Sequence, residues 1–270
     1  MHKKTILAAM IAISLSCKEQ PSSTPQHIPP ASIQDTTATR THMAPTIDYD
    51  LSYCMGKFDP AADSRFVTIS DKHADRTGLR LRKEAYEAFV DMYQAAEADG
   101  VILQIRSATR NFDYQKGIWE RKWTGETTLS DGVNAANIAS TSDRAEKIMN
   151  YSAMPGASRH HWGTDIDLNS FSNEYFATGA GRRVYEWLST KGHTFGYCQP
   201  YTPKETGRTG YNEEKWHWSY TPLSEGMTQF VHQHMHDHDL QGFAGAEAAP
   251  RLSVVQLYVL GIDPTCYKKE

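Results

Sequence analysis

The sequence predicts an α+β fold, a small antiparallel sheet with helices packed around it. Segments of helical and of strand period interleave without a regular βαβ repeat, which argues against a parallel sheet. The strand-like runs are short and bounded by polar or glycine-containing stretches. No internal repeat is present. The residues with the strongest chemical character, in 158–167 and 209–218, fall beside two of those short runs.

The chain opens on features that do not belong to a fold. Lys3 and Lys4 precede an apolar run over 6–15 that is too short to span a bilayer and ends in Ser14-Leu15-Ser16-Cys17. This resembles a bacterial lipoprotein signal, with Cys17 as the lipidated first residue of the mature protein; Ser14 stands where that signal usually carries Leu. Residues 1–17 are then a signal peptide, and the protein is exported to the cell envelope, membrane-anchored and facing the periplasm or the cell surface. Residues 18–46, rich in Pro, Ser, Thr and Gln, bury too little apolar surface to fold and read as a disordered tether. Residues 47–270 remain for one domain. The net charge of −4 and the lack of a long basic run exclude nucleic acid as a natural partner. Export favours disulfides. With Cys17 lipidated, Cys54, Cys198 and Cys266 allow one, expected between Cys54 and either Cys198 or Cys266, because Cys54 heads the folded region.

Along the domain, residues 66–69 read as a strand and 82–98 as a helix, with Ala85, Phe89, Met92, Tyr93 and Ala96 at helical spacing and Asp99-Gly100 as its stop. The apolar run 101–105 reads as a buried strand, followed by a polar loop and a helix from Asn111 or Asp113 to Trp123. A long loop over 124–139, a helix over 142–151, a loop over 169–181 and a helix over 182–190 follow. A strand is expected to start at 194–196, with a turn at 207–210, a strand at 216–220, and helices near 225–235 and 253–260.

The stretch Ser158-Arg159-His160-His161-Trp162-Gly163-Thr164-Asp165-Ile166-Asp167 offers metal ligands. A catalytic zinc takes three His or carboxylate ligands and leaves a fourth position open. His160 and Asp167 are seven residues apart, about 10 Å along a helix axis, whereas both ligands must lie about 2 Å from one ion. The stretch is therefore a loop that turns at Gly163 into a strand. On that strand Ile166 and Leu168 face one way and both Asp165 and Asp167 the other. Spacing leaves open which histidine, 160 or 161, and which aspartate, 165 or 167, would bind. Downstream, Glu214 and His217 reach one point only if the chain turns or bulges at 214–215, with Trp216 and Trp218 facing away to anchor the strand.

Ser158-x-His160-x-x-Gly163-x-x-x-Asp167, followed by Glu214-x-x-His217 in a Gly-Tyr…Glu-x-Trp-His-Trp setting, resembles the D-alanyl-D-alanine carboxypeptidase family of zinc peptidases. This is the VanY-like branch of the LAS group, which also holds lysostaphin-type peptidases and the hedgehog domain. The stretch 107–115 is similar to that family's Ser-Gly-Tyr-Arg-Ser-x-x-x-Gln motif. The resemblance covers about 80–222 and implies the LAS, hedgehog-like fold with its zinc at the sheet. It implies one zinc per chain held by His160, Asp167 and His217, with Glu214 as catalytic base. It also implies Arg110 as the oxyanion or substrate arginine, and Ser158 and Gln115 as substrate-holding residues. Two departures stand out. Ala108-Thr109 replaces Gly-Tyr, and Asp165 replaces a small residue. Asp165 is expected either to bind a substrate ammonium or to hold a ligand histidine.

The implied activity is removal of the terminal D-Ala from peptidoglycan stem peptides. Competing readings with the same zinc are an endopeptidase and an L,D-carboxypeptidase; a third is a non-catalytic zinc-stabilised wall-binding module, against which Glu214 and Arg110 argue. The run His232-Gln233-His234-Met235-His236-Asp237-His238 suggests a second metal site, but a solvated helix end explains it better. Trp162, Trp216 and Trp218 are expected in the core, and Arg106 in a surface or salt-bridged position.

Overall fold

Short strands, each paired to its partner by a few backbone hydrogen bonds, organise the computed structural model, which describes residues 50–267. The expected signal, Cys17 and the whole of the tether lie outside the described residues. In chain order the main elements are α1 (Leu51–Cys54), β1 (Phe66–Thr68), β2 (Arg80–Arg82), α2 (Lys83–Ala98), β3 (Ile105–Ser107), α3 (Phe112–Trp123) and α4 (Thr141–Ile148). Then come β4 (Asp165–Leu168), α5 (Gly179–Lys191), β5 (Tyr197–Cys198), β6 (His217–Tyr220), α6 (Thr221–His234) and α7 (Ala249–Leu252). The architecture is α+β, as the sequence predicts. β1 and β2 form an antiparallel pair; the second sheet, also antiparallel, runs β3-β4-β6-β5.

The sheet has two unlike faces because side chains alternate along a strand. Ile166, Leu168 and Trp218 turn into an apolar cluster with Phe89 and Met92 of α2 and Trp187 and Leu188 of α5. The register Asp165↔Ser219, Ile166↔Trp218 and Asp167↔His217 puts Asp165, Asp167, Ser219 and His217 on the other face. Beyond that face a second core, with Trp119, Trp162, Met227, Val231 and Tyr258, joins α3, α6 and the C-terminal segment. The site therefore lies on a polar sheet face enclosed between two apolar cores.

Local chemistry explains most boundaries. Asn111 accepts from the Tyr114 N–H and caps α3, and Ser140 caps α4 through the Asp143 N–H. β6 runs into α6 with no intervening residue, and Pro222 in the first turn has no N–H that the helix would need. No helix among the described residues is long and apolar enough to cross a membrane.

Several expectations need correction. Cys198 pairs with Cys266, their Cα atoms 5.6 Å apart, and Cys54 is a buried free thiol. Cys54 is instead held by packing among Tyr53, Met55 and Trp162, so it needs no covalent tie. The strand expected at 101–105 enters the ladder only at Ile105; Val101 and Leu103 are buried in extended chain that is not itself strand. The strand expected to start at 194–196 starts at Tyr197 instead, because Gly192–Phe195 form a 3-10 turn ended by Gly196 in the left-handed region. The last expected helix, 253–260, is a π-helical turn, Val255–Val259, set off from the preceding α7 by Ser253 at positive φ.

Candidate metal centre

Residues 158–168 build half of the site by one reversal. Arg159–Trp162 form a 3-10 turn, and Gly163 ends it at φ 74°. A Cβ at Gly163 would strike the Phe66 ring and the Arg82 side chain, so glycine serves both the left-handed turn and the close packing. The chain then enters β4, and the bend brings His160 back over Asp167. The other half comes from β6: Asp167 and His217 are cross-strand partners, and the His217 N–H bonds the Glu214 carbonyl at 3.3 Å in the turn that precedes the strand. That turn lets Glu214 and His217, three residues apart, face one point.

Among the described residues, His160, Asp167 and His217 are the group of three whose ligand atoms lie within 4.8 Å of one another. His160 Nδ1 donates to the Ala108 carbonyl at 2.9 Å, which leaves Nε2 with its lone pair free, 3.2 Å from Asp167 Oδ2. His217 Nε2 donates to Asp165 Oδ2 at 2.8 Å, and its Nδ1 lies 3.3 Å from Asp167 Oδ1 and 3.3 Å from Glu214 Oε2. His160 Nε2 and Asp167 Oδ1 are buried without a hydrogen-bond partner. Tetrahedral ligands about 2 Å from one ion are themselves about 3.3 Å apart, and such orphaned buried atoms are costly unless something occupies the space between them. The donor set fits a zinc-type ion.

Charge in the cluster follows from burial and neighbours. Burial and the nearby Arg110 hold His160 below its ordinary pKa. Burial opposes a charge on His217, but Asp165, Asp167 and Glu214 outweigh it and raise its pKa well above the usual value. Burial raises the Glu214 carboxyl, and only part of that is offset by His217 and Arg110.

Asp165 lies behind His217 rather than in the cleft. It is fully buried, and its oxygens accept from His217, Arg159 Nε at 3.1 Å, Ser219 Oγ at 2.7 Å and Thr164 Oγ1 at 2.7 Å. With no open face left for an ammonium, the substrate role expected for Asp165 is corrected to that of a histidine holder. His161 is also excluded as a ligand. Its Nδ1 donates to the Arg110 carbonyl at 2.6 Å, its Nε2 accepts from the Gly156 N–H at 3.0 Å, and burial pushes its pKa down to about 3.

Arg110, Ser158, Glu214, His160 and His217 line the cleft together with Tyr151, Tyr201 and Tyr211. Arg110 Nη2 is 3.9 Å from Asp167 Oδ2. Gln115 does not line the cleft; its Nε2 donates to the Ala153 carbonyl at 2.8 Å and fixes the segment that does. Lys122, further along α3 from Gln115, donates to Ser152 Oγ in the same segment.

Sequence reasoning missed Arg159, which is 1% exposed and reaches Asp165, Thr228 Oγ1 at 3.1 Å and Ser219 Oγ at 2.9 Å. An acid six residues on was the signal available for it. Tyr201 was missed too; its ring meets His217 edge-on at 4.7 Å. Trp162, Trp216 and Trp218 are core residues as expected, and Arg106 pairs with Asp75 at 2.5 Å. His236 and His238 stack at 5.2 Å near the end of α6, and no third ligand joins them among the described residues.

The family model described as D-alanyl-D-alanine carboxypeptidase, VanY, matches residues 78–223. A D-alanyl-D-alanine carboxypeptidase of Enterococcus faecalis (strain ATCC 700802 / V583) is 31% identical over 143 residues, 53% of this chain and 48% of that protein. The chain spans about half the length of the curated relatives it matches. Similar solved structures include VanYB in complex with D-alanine-D-alanine, 26% identical over 63% of this chain and 84% of that one, TM-score 0.47. Another is a mutant of the vancomycin resistance D,D-pentapeptidase VanY in complex with Zn(II), 25% identical over 69% of this chain and 89% of that one, TM-score 0.46. The family match takes in more than half of the chain and encloses Arg110, His160, Asp167, Glu214 and His217, so this chain belongs to the VanY family of D-alanyl-D-alanine carboxypeptidases.

Proposed function

We propose that the protein is a zinc-dependent peptidoglycan carboxypeptidase that removes the terminal D-Ala of stem peptides ending in D-Ala-D-Ala. The observation that carries this reading is the convergence of His160 Nε2, Asp167 and His217 Nδ1 beside Glu214, with two ligand atoms otherwise orphaned in the interior. Membership of the family supports it. His160, Asp167 and His217 would hold one zinc ion, which when bound supplies Lewis acidity and lowers the pKa of a water ligand toward about 7.

The chain's own groups do the rest. Glu214 is buried and its carboxyl sits above the usual range, so it suits a group that accepts a proton from water and returns it to the leaving amine. Asp165 fixes the His217 tautomer by accepting from Nε2. Arg110, with its guanidinium at the cleft, either stabilises the oxyanion or pairs in a fork with the substrate's free carboxylate. Ser158 lines the same cleft and holds substrate, while Gln115 acts through the 151–153 segment. The features of residues 1–46 support an exported lipoprotein anchored through Cys17, with a tether between membrane and enzyme.

Purified protein and defined muropeptides, read by mass spectrometry, test the activity. Loss of a terminal alanine is expected, abolished by a chelator and restored by zinc. Glu214→Ala should lower kcat by about a thousandfold with zinc content unchanged. Internal cleavage without alanine release would instead make the protein an endopeptidase, and action on tetrapeptides alone an L,D-carboxypeptidase. Absence of any hydrolysis would favour the binding module.

A further inference from the structure

Arg110 lines a second cavity as well as the catalytic cleft. This cavity, of about 280 Å³, is bordered by Arg76, Arg80, Ser107, Thr109, Arg110 and Tyr114 among others, and no acidic residue lines it. Three arginines and no acidic residue in the lining favour an anion over a cation there, in a chain whose net charge is −4. Their neighbour Arg106 shows the contrast, since Asp75 pairs with it at 2.5 Å. Arg76 donates to the Arg106 carbonyl at 2.6 Å, and neither Arg76 nor Arg80 pairs with a carboxylate among the described residues. Arg110 has only Asp167, at 3.9 Å, and its Nε is buried without a partner, as is Thr109 Oγ1. The site is also built on fixed backbone. Arg80 sits in β2 opposite Thr68, and its carbonyl accepts from the Thr109 N–H at 3.0 Å, which ties two walls of the cavity together.

Arg110 lines both cavities, so whatever fills the second lies close to a substrate in the first. A carboxylate suits forked guanidinium donors. We propose that this cavity is a subsite for a second carboxylate of the peptide substrate, borne on a side chain or branch away from the reacting end. It rests on the carboxypeptidase reading above and extends it: the enzyme selects stems with a free acid over stems amidated at that position.

Two stem peptides that differ only in a free or amidated side-chain carboxylate provide the test. With the full chain and zinc, kcat/KM for the acid should exceed that for the amide by about tenfold or more, as expected for one charge-assisted contact. Arg80→Gln and Arg76→Gln should bring the ratio toward unity, and Arg80→Glu should invert it. The ratio is internally controlled, since partial misfolding lowers both rates alike. Fluorescently labelled versions of the same peptides, titrated with wild type and variants, give the matching ratio of Kd values even where no bond is cleaved. Selective binding without hydrolysis would overturn the carboxypeptidase reading and keep the subsite. Equal handling of acid and amide by wild type, or a preference unaltered in all three variants, would overturn the subsite.

Discussion

Replacing Asp165 by Asn would leave the Arg159 guanidinium buried without a counter-ion. Removing one partner of a buried pair costs about 3–5 kcal/mol, far more than the isosteric change suggests. Asp165→Asn is therefore expected to lower stability by that order in denaturant titrations. Adding Arg159→Met should recover much of the loss, since it removes the stranded charge. Zinc affinity, read by competition with a chromophoric chelator, should fall about 10–100-fold in the single variant and stay low in the double, because His217 still lacks its carboxylate partner. Additive stability effects would show that the two residues are not coupled. At this scale spacing marked the candidates, two histidines and two aspartates in 158–167 with Glu214 and His217 downstream, and the choice of His160 and Asp167 came from the resemblance to the family motif. Arg159 was not marked, because an arginine in isolation reads as a surface residue. Only the fold brings Ser219 and Thr228, 60 and 69 residues away, to its guanidinium.

The turn at Gly163 is the element on which the site's shape rests. Gly163→Ala places a side chain at φ 74° and against Phe66 and Arg82. A loss of about 2 kcal/mol or more in thermal or chemical unfolding is expected, with weakened metal binding as His160 shifts relative to Asp167. Unchanged stability would mean that Phe66 and Arg82 yield freely. The need for a bend here was legible, since a helix would have separated the ligands. Strand limits were harder to read. In 101–105 the alternation of buried Val101, Leu103 and Ile105 is that of a strand, but ladder pairing depends on what lies alongside, and only from Ile105 does β4 run beside the chain. A strand was expected to start at 194–196, and Gly196 at φ 78° shows a turn there, with the strand following at Tyr197.

Across the whole molecule, the Cys198–Cys266 bridge joins the sheet's edge strand β5 to the C-terminal segment, closing a loop with a sequence separation of 68. Chain entropy assigns such a loop about 4 kcal/mol of stability. Reduction, or the pair Cys198→Ser and Cys266→Ser, is expected to lower Tm markedly in a scan with and without reductant. Under native conditions Cys54 should resist thiol reagents, because it is 1% exposed and burial pushes its pKa up to about 12. Rapid labelling of Cys54 would contradict this packing. The pairing was not legible because three cysteines at these spacings carry no geometric information.

The direct run of β6 into α6 has a further effect. His217 sits on the strand, Thr228 on the helix behind it, and Arg159 spans from one to the other. Strand and helix are thus tied together, with His217, the candidate ligand, on the strand. Protein contacts alone hold the cradle in place, so capture is expected to require no folding step. Uptake should then follow simple second-order kinetics, with a small heat-capacity change and a rate set by shedding protons and water rather than by motion of the chain.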